Sequence, residues 1–409
     1  MIRRLRNLGP GLLVAAAFIG PGTVTTASVA GASTGYAILW ALVFSIFATI
    51  VLQEMSARLG IVSREGLGEA LRTTFDNPVI KLGAILLVVA AITFGNAAFE
   101  TGNITGAALG LETLGGLSAQ GWALVVGLGA FALLASGAYK LIERVLVVLV
   151  ILMSVVFIAT AIIVLRPSDI GSVLAGMFIP RVPEGALITV VALIGTTVVP
   201  YNLFLHASSV QEKWPESVPT REALAESRTD TTLSIILGGL ITLAILSTGA
   251  AAFFGTGTEI SDAGQMAEQL EPLLGTFAKY FFAVGILAAG LTSAITAPLA
   301  AAYATSGALG WERNLRSWKF QAVWALIIVV GTAFAVFGTS PVAAIVFAQA
   351  ANGVLLPIIA AFLLYIVNRS DLLGEYKNGL ATNIIGGIVV LIAAGIGLRL
   401  VLSAFGVIG

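Results

Sequence analysis

We predict an all-α membrane protein with eleven transmembrane helices, and three observations lead to this fold class. Of the 409 residues, 58% are hydrophobic and only 10% are charged, with a mean hydropathy of +1.01. A soluble domain carries roughly 25% charged residues. The apolar residues fall into stretches of about 20, which is the length that crosses a bilayer. Two of these stretches are interrupted by proline in the same way, at Pro21 and Pro200.

Composition excludes several classes of function. The formal net charge is zero, so there is no electrostatic basis for a nucleic-acid partner. The chain has no cysteine, which excludes disulfides and thiolate metal sites, and its single histidine, His206, excludes a multi-histidine metal site. No nucleophile–base pair or cofactor motif is present, so we expect neither an enzyme nor a cofactor. The expected partners are the lipid bilayer, a small inorganic ion or small polar solute as substrate, and protons.

The spans are assigned by reading the sequence for apolar stretches of about 20 residues. Their approximate bounds are 8–31, 36–57, 79–109, 118–138, 142–165, 185–209, 228–255, 273–306, 319–338, 341–367 and 382–407.

The distribution of basic residues supports this count of spans. With a cytoplasmic N-terminus, 17 of the 21 basic residues fall on the inner side of the membrane, as the positive-inside rule requires. The eleventh span then ends outside the cell, and the protein is expected in the plasma membrane. The loops 166–184 and 256–272 are expected on the outer face, and the second of them contains no basic residue.

Spans one to five and six to ten form two groups of equal size. An odd number of spans in each group forces the second group to insert upside down relative to the first, which produces a five-plus-five inverted repeat. We therefore predict one transporter domain over 1–409. Its first repeat covers about 8–165, its second about 185–367, and an extra helix follows at about 382–407.

The two prolines lie in the first span of each repeat. Proline removes a backbone donor and clashes with the preceding turn, so each span should become two half-helices broken at the midplane. The second half-helices are expected to begin near Thr23 and Asn202. In lipid, the unpaired backbone groups at such breaks persist only where they line a cavity or hold a ligand, so matched breaks indicate the substrate site.

Polar side chains beside the breaks are the candidate ligands, each with a structural alternative. Thr23 could simply cap its half-helix, and Thr196 and Thr197 could bond carbonyls of their own helix. Asn202 is a buried amide that needs partners, and we expect the break to supply them. Tyr201 is interpreted equally well as packing or as gating.

Two titratable residues lie within the predicted membrane region. Glu100 is the one carboxylate placed deep in a span, so it must be protonated, paired or facing water. It is a candidate for a proton relay or an electrostatic partner. His206, at the end of the sixth span, is a candidate for either helix–helix hydrogen bonding or proton transfer. Ordinary interfacial ion pairs are expected for Glu54 with Arg58 and for Glu143 with Arg144.

Several motifs resemble the Nramp family of divalent metal transporters over essentially the whole chain. They are Leu8-Gly9-Pro10-Gly11, Gly35-Tyr36 with Leu39-Trp40, Ser56-Ala57-Arg58-Leu59-Gly60-Ile61-Val62, Glu143-Arg144-Val145 and Pro200-Tyr201-Asn202-Leu203-Phe204-Leu205-His206. The resemblance implies a leucine-transporter-like fold, alternating access, and a midplane site between the first and sixth spans.

The chain departs from the family pattern at the metal ligands. The family's first span carries Asp-Pro-Gly-Asn, and its Asp and Asn positions are Gly20 and Thr23 here. A methionine that ligates the metal is replaced by Val199. The position that offers a backbone carbonyl is Thr196, and the histidine after the proline is Tyr201.

The third and tenth spans carry further positions of the family pattern. The family's acidic pair for proton passage is Glu100 and Asn103 here, and the glutamine of the tenth span is conserved in type as Gln349. With His206 added from its position at the end of the sixth span, the candidate coupling set is Glu100, Asn103 and His206. The polar groups at the breaks leave Thr23, Thr196, Asn202 and Gln349 as the candidate metal ligands.

The residues leave the substrate open between two classes. Without the methionine, a hard Mg²⁺-like ion fits the oxygen donors better than Mn²⁺ or Fe²⁺, although Mg²⁺ normally takes at least one carboxylate. The N-terminal ends of the half-helices instead favour a small anion such as bicarbonate, or a small polar solute. A non-transporting receptor is the least favoured alternative, because no long soluble tail follows the last span.

Overall fold

The computed structural model describes residues 19–137, 139–312, 314–338 and 340–407, with the backbone alone for 139–144. The first half of the predicted first span, residues 8–18, lies outside the described residues. So do the side chains of Glu143 and Arg144, and with them their predicted ion pair. The described part of the chain is helical throughout and contains no strand.

Helices α1 to α9 belong to the first six predicted spans and the loops between them. They are α1 (Pro21–Thr34), α2 (Leu39–Ser63), α3 (Leu67–Thr74), α4 (Pro78–Leu114), α5 (Ala119–Ser136), α6 (Tyr139–Val164), α7 (Ile170–Phe178), α8 (Leu187–Thr197) and α9 (Pro200–Lys213).

Helices α10 to α17 complete the bundle. They are α10 (Thr220–Phe253), α11 (Ala263–Glu268), α12 (Glu271–Leu274), α13 (Ala278–Leu309), α14 (Trp318–Phe337), α15 (Pro341–Ile366), α16 (Ser370–Leu373) and α17 (Leu380–Ala404). Within the described residues, ten segments are long and apolar enough to cross a membrane, and they correspond to predicted spans two to eleven.

The predicted bounds need correction where polar sequence is helical. Helix α10 starts at Thr220, eight residues before the predicted span. The prediction began too late because the first turns of this helix are polar and carry no hydropathy signal. The two loops expected on the outer face are partly helical, since α7 lies in the first and α11 in the second. Short helices of this kind are too short to give a spanning signal, so the sequence could not separate them from loops.

The helix starts follow from local chemistry. At α4, the side chain of Asn77 accepts hydrogen bonds from the backbone N–H groups of Val79 and Ile80, and Pro78 fills the first helical position. This combination satisfies donors that a helix N-terminus leaves free. The long α4 is thereby fixed at one end, and it runs through the centre of the bundle beside α13 and α15.

Glycines let the central helices approach closely. A Cβ atom at Gly106 of α4 would lie 2.3 Å from Cβ of Pro21, and one at Gly290 of α13 would lie 2.7 Å from the carbonyl oxygen of Asn103. Small residues at such contacts are typical of helix packing in membranes, where dispersion forces favour close backbones. The start of α1 is therefore held against the C-terminal part of α4.

One glycine contact occurs twice, each time between a helix of one predicted repeat and a helix of the other. A Cβ atom at Gly249 of α10 would lie 2.7 Å from the carbonyl oxygen of Ser28 in α1, and one at Gly60 of α2 would lie 2.1 Å from that of Ala207 in α9. Ser28 follows Pro21 by seven residues, and Ala207 follows Pro200 by seven. The same contact at equivalent positions is what an inverted repeat produces.

Candidate functional site

The two half-helices begin at their prolines. Helix α1 starts at Pro21 after an extended Gly20, and α9 starts at Pro200 after an extended Val199. The predicted starts near Thr23 and Asn202 are therefore two residues too late. Proline suits the first helical position, where its fixed φ fits and no N–H is required. Helix α8 ends at Thr197, so the sixth span is broken as predicted.

The hydroxyl groups of Thr23 and Thr196 meet between the two breaks. Their Oγ1 atoms lie 2.8 Å apart, both are buried, and the bond joins α1 to α8. Thr23 is thus not a helix cap, because α1 has no side-chain cap. The expectation of a bond to a carbonyl of the same helix is confirmed for Thr197, which donates to Leu193 at 3.0 Å, but it is wrong for Thr196.

Gln349 of α15 places its amide over the start of α1. A Cβ atom at Gly22 would lie 2.2 Å from Nε2 and 3.0 Å from Oε1 of this side chain. Gln349 is fully buried, and neither of its amide atoms has a hydrogen-bond partner within the described residues. A side chain at position 22 would therefore have to displace this amide.

Asn202 is the second amide at the breaks. It is 1% exposed, its backbone N–H donates to the carbonyl of Val199 at 3.1 Å, and its side-chain Oδ1 and Nδ2 both lack partners in the described structure. The expectation that the break supplies these partners is wrong. A buried amide without partners is costly, so the group is a strong candidate for contact with a ligand or water.

The remaining residues of the break are packed into the core. The ring of Tyr201 lies edge-on against Phe99 of α4, with centroids 5.6 Å apart, while its hydroxyl group has no partner in the described residues. Val199 is buried and contributes an apolar wall. A Cβ atom at Gly20 would lie 2.8 Å from Oγ of Ser293 in α13, so Gly20 brings the start of α1 close to that helix.

Helix α4 carries a buried polar stripe. Asn96, Glu100 and Asn103 follow the four- and three-residue spacing of one helix face, and each has one side-chain oxygen without a partner in the described residues. Asn103 donates through Nδ2 to Oε2 of Glu100 at 3.2 Å. A Cβ atom at Gly331 of α14 would lie 2.7 Å from Cγ of Glu100, so the stem of the carboxylate is tightly packed.

His206 has different surroundings from Glu100. Its Nδ1 lies 2.9 Å from Oε1 of Gln53 in α2, and its Nε2 lies 3.5 Å from Oγ1 of Thr231 in α10. The imidazole therefore bridges three helices, which favours the structural interpretation of this residue. Nearby, Glu54 forms the predicted ion pair with Arg58, at 3.2 Å, and a second with Arg228, at 2.9 Å.

Sequence reasoning missed several polar residues near these groups. Asn352 of α15 is buried with an unpaired Nδ2, and Thr25 and Thr26 of α1 are fully buried with unpaired hydroxyl groups. The spacing of four residues between Asn96 and Glu100 was the one signal that could have identified Asn96. Ser293 carried no signal, because its proximity to Gly20 depends on tertiary packing.

An open cavity lies at the end of the bundle where α1 ends. Its volume is about 820 Å³, and α1, α8, α15 and the segment after α10 line it. We call it the vestibule. Its lining residues are Val29, Ala32, Ser33, Ile188, Thr189, Phe253, Phe254, Gly255, Gly257, Thr258, Glu259, Ile260, Ser261, Ser340, Val342, Ala343 and Val346.

The donor set at the breaks consists of neutral groups. It includes the hydroxyls of Thr23 and Thr196 and the amides of Asn202 and Gln349. Within the described part of the chain, no group of three or more His, Cys, Asp or Glu side chains is placed to hold a metal ion. Such a site lacks the carboxylate that Mg²⁺ normally takes, so a divalent ion would have to keep much of its water.

The comparisons with known proteins agree with the fold. The chain is 33% identical over 410 residues to the "Divalent metal cation transporter MntH" of Bradyrhizobium diazoefficiens, covering 95% of this chain and 88% of that one. It is 32% identical over 383 residues to the protein of the same name from Mesorhizobium japonicum, covering 90% and 82%.

Solved structures show the same architecture. A manganese transporter from Eremococcus coleocola, in complex with an aromatic bis-isothiourea compound, matches with a TM-score of 0.79 at 22% identity, covering 98% of this chain and 87% of that one. MhsT in complex with L-phenylalanine matches with a TM-score of 0.63 at 16% identity, covering 97% and 98%. The predicted all-α, leucine-transporter-like fold is thus confirmed.

The Nramp sequence profile, described as "Natural resistance-associated macrophage protein-like", matches residues 11–403. The resemblance inferred from the motifs is therefore confirmed over nearly the whole chain. The chain belongs to the Nramp family of membrane transporters.

Proposed function

We propose that the protein is a secondary transporter that moves a divalent metal ion across the membrane by alternating access. The proposal is supported by relatives that carry the name of divalent metal cation transporters and by the two proline breaks. The single observation that carries the location of the site is the unpaired, fully buried amide of Gln349 over Gly22, beside the Thr23–Thr196 bond.

The proposed substrate-binding residues are those at the two breaks and the facing glutamine. They are Gly20, Thr23, Thr196, Val199, Tyr201, Asn202 and Gln349. The donors among them, Thr23, Thr196, Asn202 and Gln349, are neutral oxygen and nitrogen groups, and no sulfur atom is present. We infer a hard, Mg²⁺-like ion rather than Mn²⁺ or Fe²⁺, bound with part of its hydration shell.

Glu100 is proposed as the coupling residue. Its side chain is fully buried, and its Oε1 has no partner in the described structure. With Asn103 as its hydrogen-bond donor, it can take up and release a proton or balance the charge of a nearby cation. His206 is bonded to Gln53 and Thr231, so it is a weaker candidate for this role.

A second candidate is a small oxyanion such as bicarbonate, or a small polar solute. It is favoured by the unpaired amide donors Asn202 Nδ2 and Gln349 Nε2, which lie near the N-terminal ends of α1 and α9. Helix N-termini carry a partial positive charge that stabilises anions. Residue 20 is a glycine, so it supplies no carboxylate to cancel the partial positive charge at the start of α1.

The test is flux in liposomes that contain the purified protein. We expect uptake of Mg²⁺ that exceeds uptake of Mn²⁺ and that is lost in Gln349→Ala. Gln120→Ala is the matched control, because Gln120 lies at one end of α5 and bonds the carbonyl of Gly338. Uptake of bicarbonate without uptake of either metal would support the second candidate and refute the first.

A further inference from the structure

We propose that the vestibule is an antechamber that concentrates hydrated divalent cations and repels oxyanions, with Glu259 as the residue that sets its charge. This inference deepens the proposed function, because it names the charge class of the species that enters the site. It begins from the lining of the cavity rather than from the donors at the breaks.

Glu259 is the one charged residue among those that line the vestibule. The other polar lining side chains are the hydroxyls of Ser33, Thr189, Thr258, Ser261 and Ser340. Hydroxyl groups can bind a cation or an anion, so they do not select for the sign of the charge. Glu259 is an exposed lining residue of the cavity. A cleft lined by one sign of charge raises the local concentration of counter-ions and hence their rate of entry.

The segment around Glu259 is also negatively charged. Residues 254–277 include Glu259, Asp262, Glu268 and Glu271 and no Lys, Arg or His. The segment is structured, because Asp262 caps α11 by accepting from the backbone N–H of Gln265 at 2.9 Å. The negative charge is therefore held beside the vestibule. The Debye length of about 8 Å at physiological salt leaves the lining carboxylate as the strongest source of the field.

The vestibule lining shares a helix with the proposed site. It includes Val29 of α1 and Val346 of α15, which pack in the same apolar cluster. Gln349 follows Val346 by three residues, one turn further into the bundle, and its amide atoms are unpaired and fully buried. Consecutive turns of α15 therefore join the vestibule lining to the amide of Gln349.

Reactivity of a single cysteine measures the sign of this field without requiring transport. The chain has no cysteine of its own, so Ser33→Cys places one thiol in the vestibule lining. Its rates of reaction with a positively charged trimethylammonium-ethyl methanethiosulfonate and a negatively charged sulfonatoethyl methanethiosulfonate are divided by the rates for 2-mercaptoethanol. The normalised ratio is the rate for the positive reagent divided by the rate for the negative reagent. We expect it to exceed one and to approach one at high salt.

Charge reversal identifies the residue responsible. Glu259→Lys should lower this ratio about threefold or more at low ionic strength. Glu268→Lys is the matched control, since Glu268 is exposed on α11 but does not line the cavity. A ratio at or below one in the parent protein, or equal effects of the two reversals, would overturn the proposal.

Flux separates this inference from the proposed function. In liposomes at low ionic strength, Glu259→Lys should raise the KM for Mg²⁺ about threefold with kcat unchanged, and Glu268→Lys should have a smaller effect. If the thiol ratio behaves as expected but no divalent metal is taken up, the proposed function is wrong and the inference about the vestibule is supported. If Mg²⁺ is taken up but Glu259→Lys does not change the thiol ratio, the inference about the vestibule is wrong and the proposed function is supported.

Discussion

The amide of Gln349 occupies the space that a side chain at Gly22 would need, since a Cβ atom there would lie 2.2 Å from Nε2. The contact joins α15 to the first turn of α1. The amide of Gln349 has no hydrogen-bond partner within the described residues. Its position therefore depends on the space that Gly22 leaves open.

Replacing Gly22 should therefore disable the site without unfolding the protein. In Gly22→Ala the flexible amide is pushed aside, and we expect substrate uptake to fall about 10- to 100-fold, as for a displaced binding group. Uptake in liposomes and thermal unfolding of the purified protein check this. Gly83→Ala in α4 is the control, because a Cβ atom there meets nothing within 4 Å. Equal uptake by the two variants would contradict the prediction.

A carboxylate at Gly20 should restore what the metal ligand set lacks. We expect Gly20→Asp to raise the affinity for Mg²⁺ or Mn²⁺ about tenfold, or about 1.4 kcal/mol, and to weaken binding of any oxyanion. The new Cβ atom would lie 2.8 Å from Ser293 Oγ, so Ser293→Ala is added to make room. Metal binding is measured by titration calorimetry against Gly20→Asn, which has the same size without the charge. Unchanged affinity would show that charge does not limit binding there.

The hydroxyl pair at the centre should behave as one interaction. Thr23→Ala and Thr196→Ala each remove the 2.8 Å bond, so the double variant should lose less stability than the sum of the single variants. We expect a coupling energy of about 0.6–1.5 kcal/mol, typical of a hydrogen bond between membrane helices. Thermal unfolding in detergent measures it. Thr196→Ser, which retains the hydroxyl, should stay near the parent protein, and additive losses would refute direct coupling.

Removing the charge of Glu100 should separate substrate movement from proton movement. Glu100→Gln keeps the shape and the contact with Asn103, so the protein should fold normally. We expect uptake to lose its stimulation by an inward proton gradient, as measured with a pH dye inside liposomes. Glu112→Gln serves as the control, because Glu112 lies at the far end of α4 and accepts from the backbone N–H of Ala119. Stimulation that persists in Glu100→Gln would exclude Glu100 as the coupling residue.

The sequence allowed the breaks to be located because the effect of proline is local. The missing donor and fixed φ act on the same residues wherever the helix packs, so Pro21 and Pro200 mark the start of α1 and α9 directly. Spans two to eleven were equally accessible, since apolar length requires no tertiary information.

The partners of the polar side chains could not be predicted in the same way. Thr23 and Thr196 are 173 residues apart, and their contact depends on the rotation of two helices about their axes. Asn202 shows the opposite error. A break in a helix suggests free backbone groups for a buried amide, but the side chain of Asn202 has no hydrogen-bond partner within the described residues.

The paired glycine contacts at Gly249 and Gly60 tie each proline-initiated half-helix to the other half of the chain. Helix α1 rests on α10 of the predicted second repeat, and α9 rests on α2 of the predicted first repeat. Neither repeat could complete its own packing as a separate polypeptide. A gene that encoded only one half would therefore have to produce two copies inserted in opposite orientations before either copy could seat its half-helix.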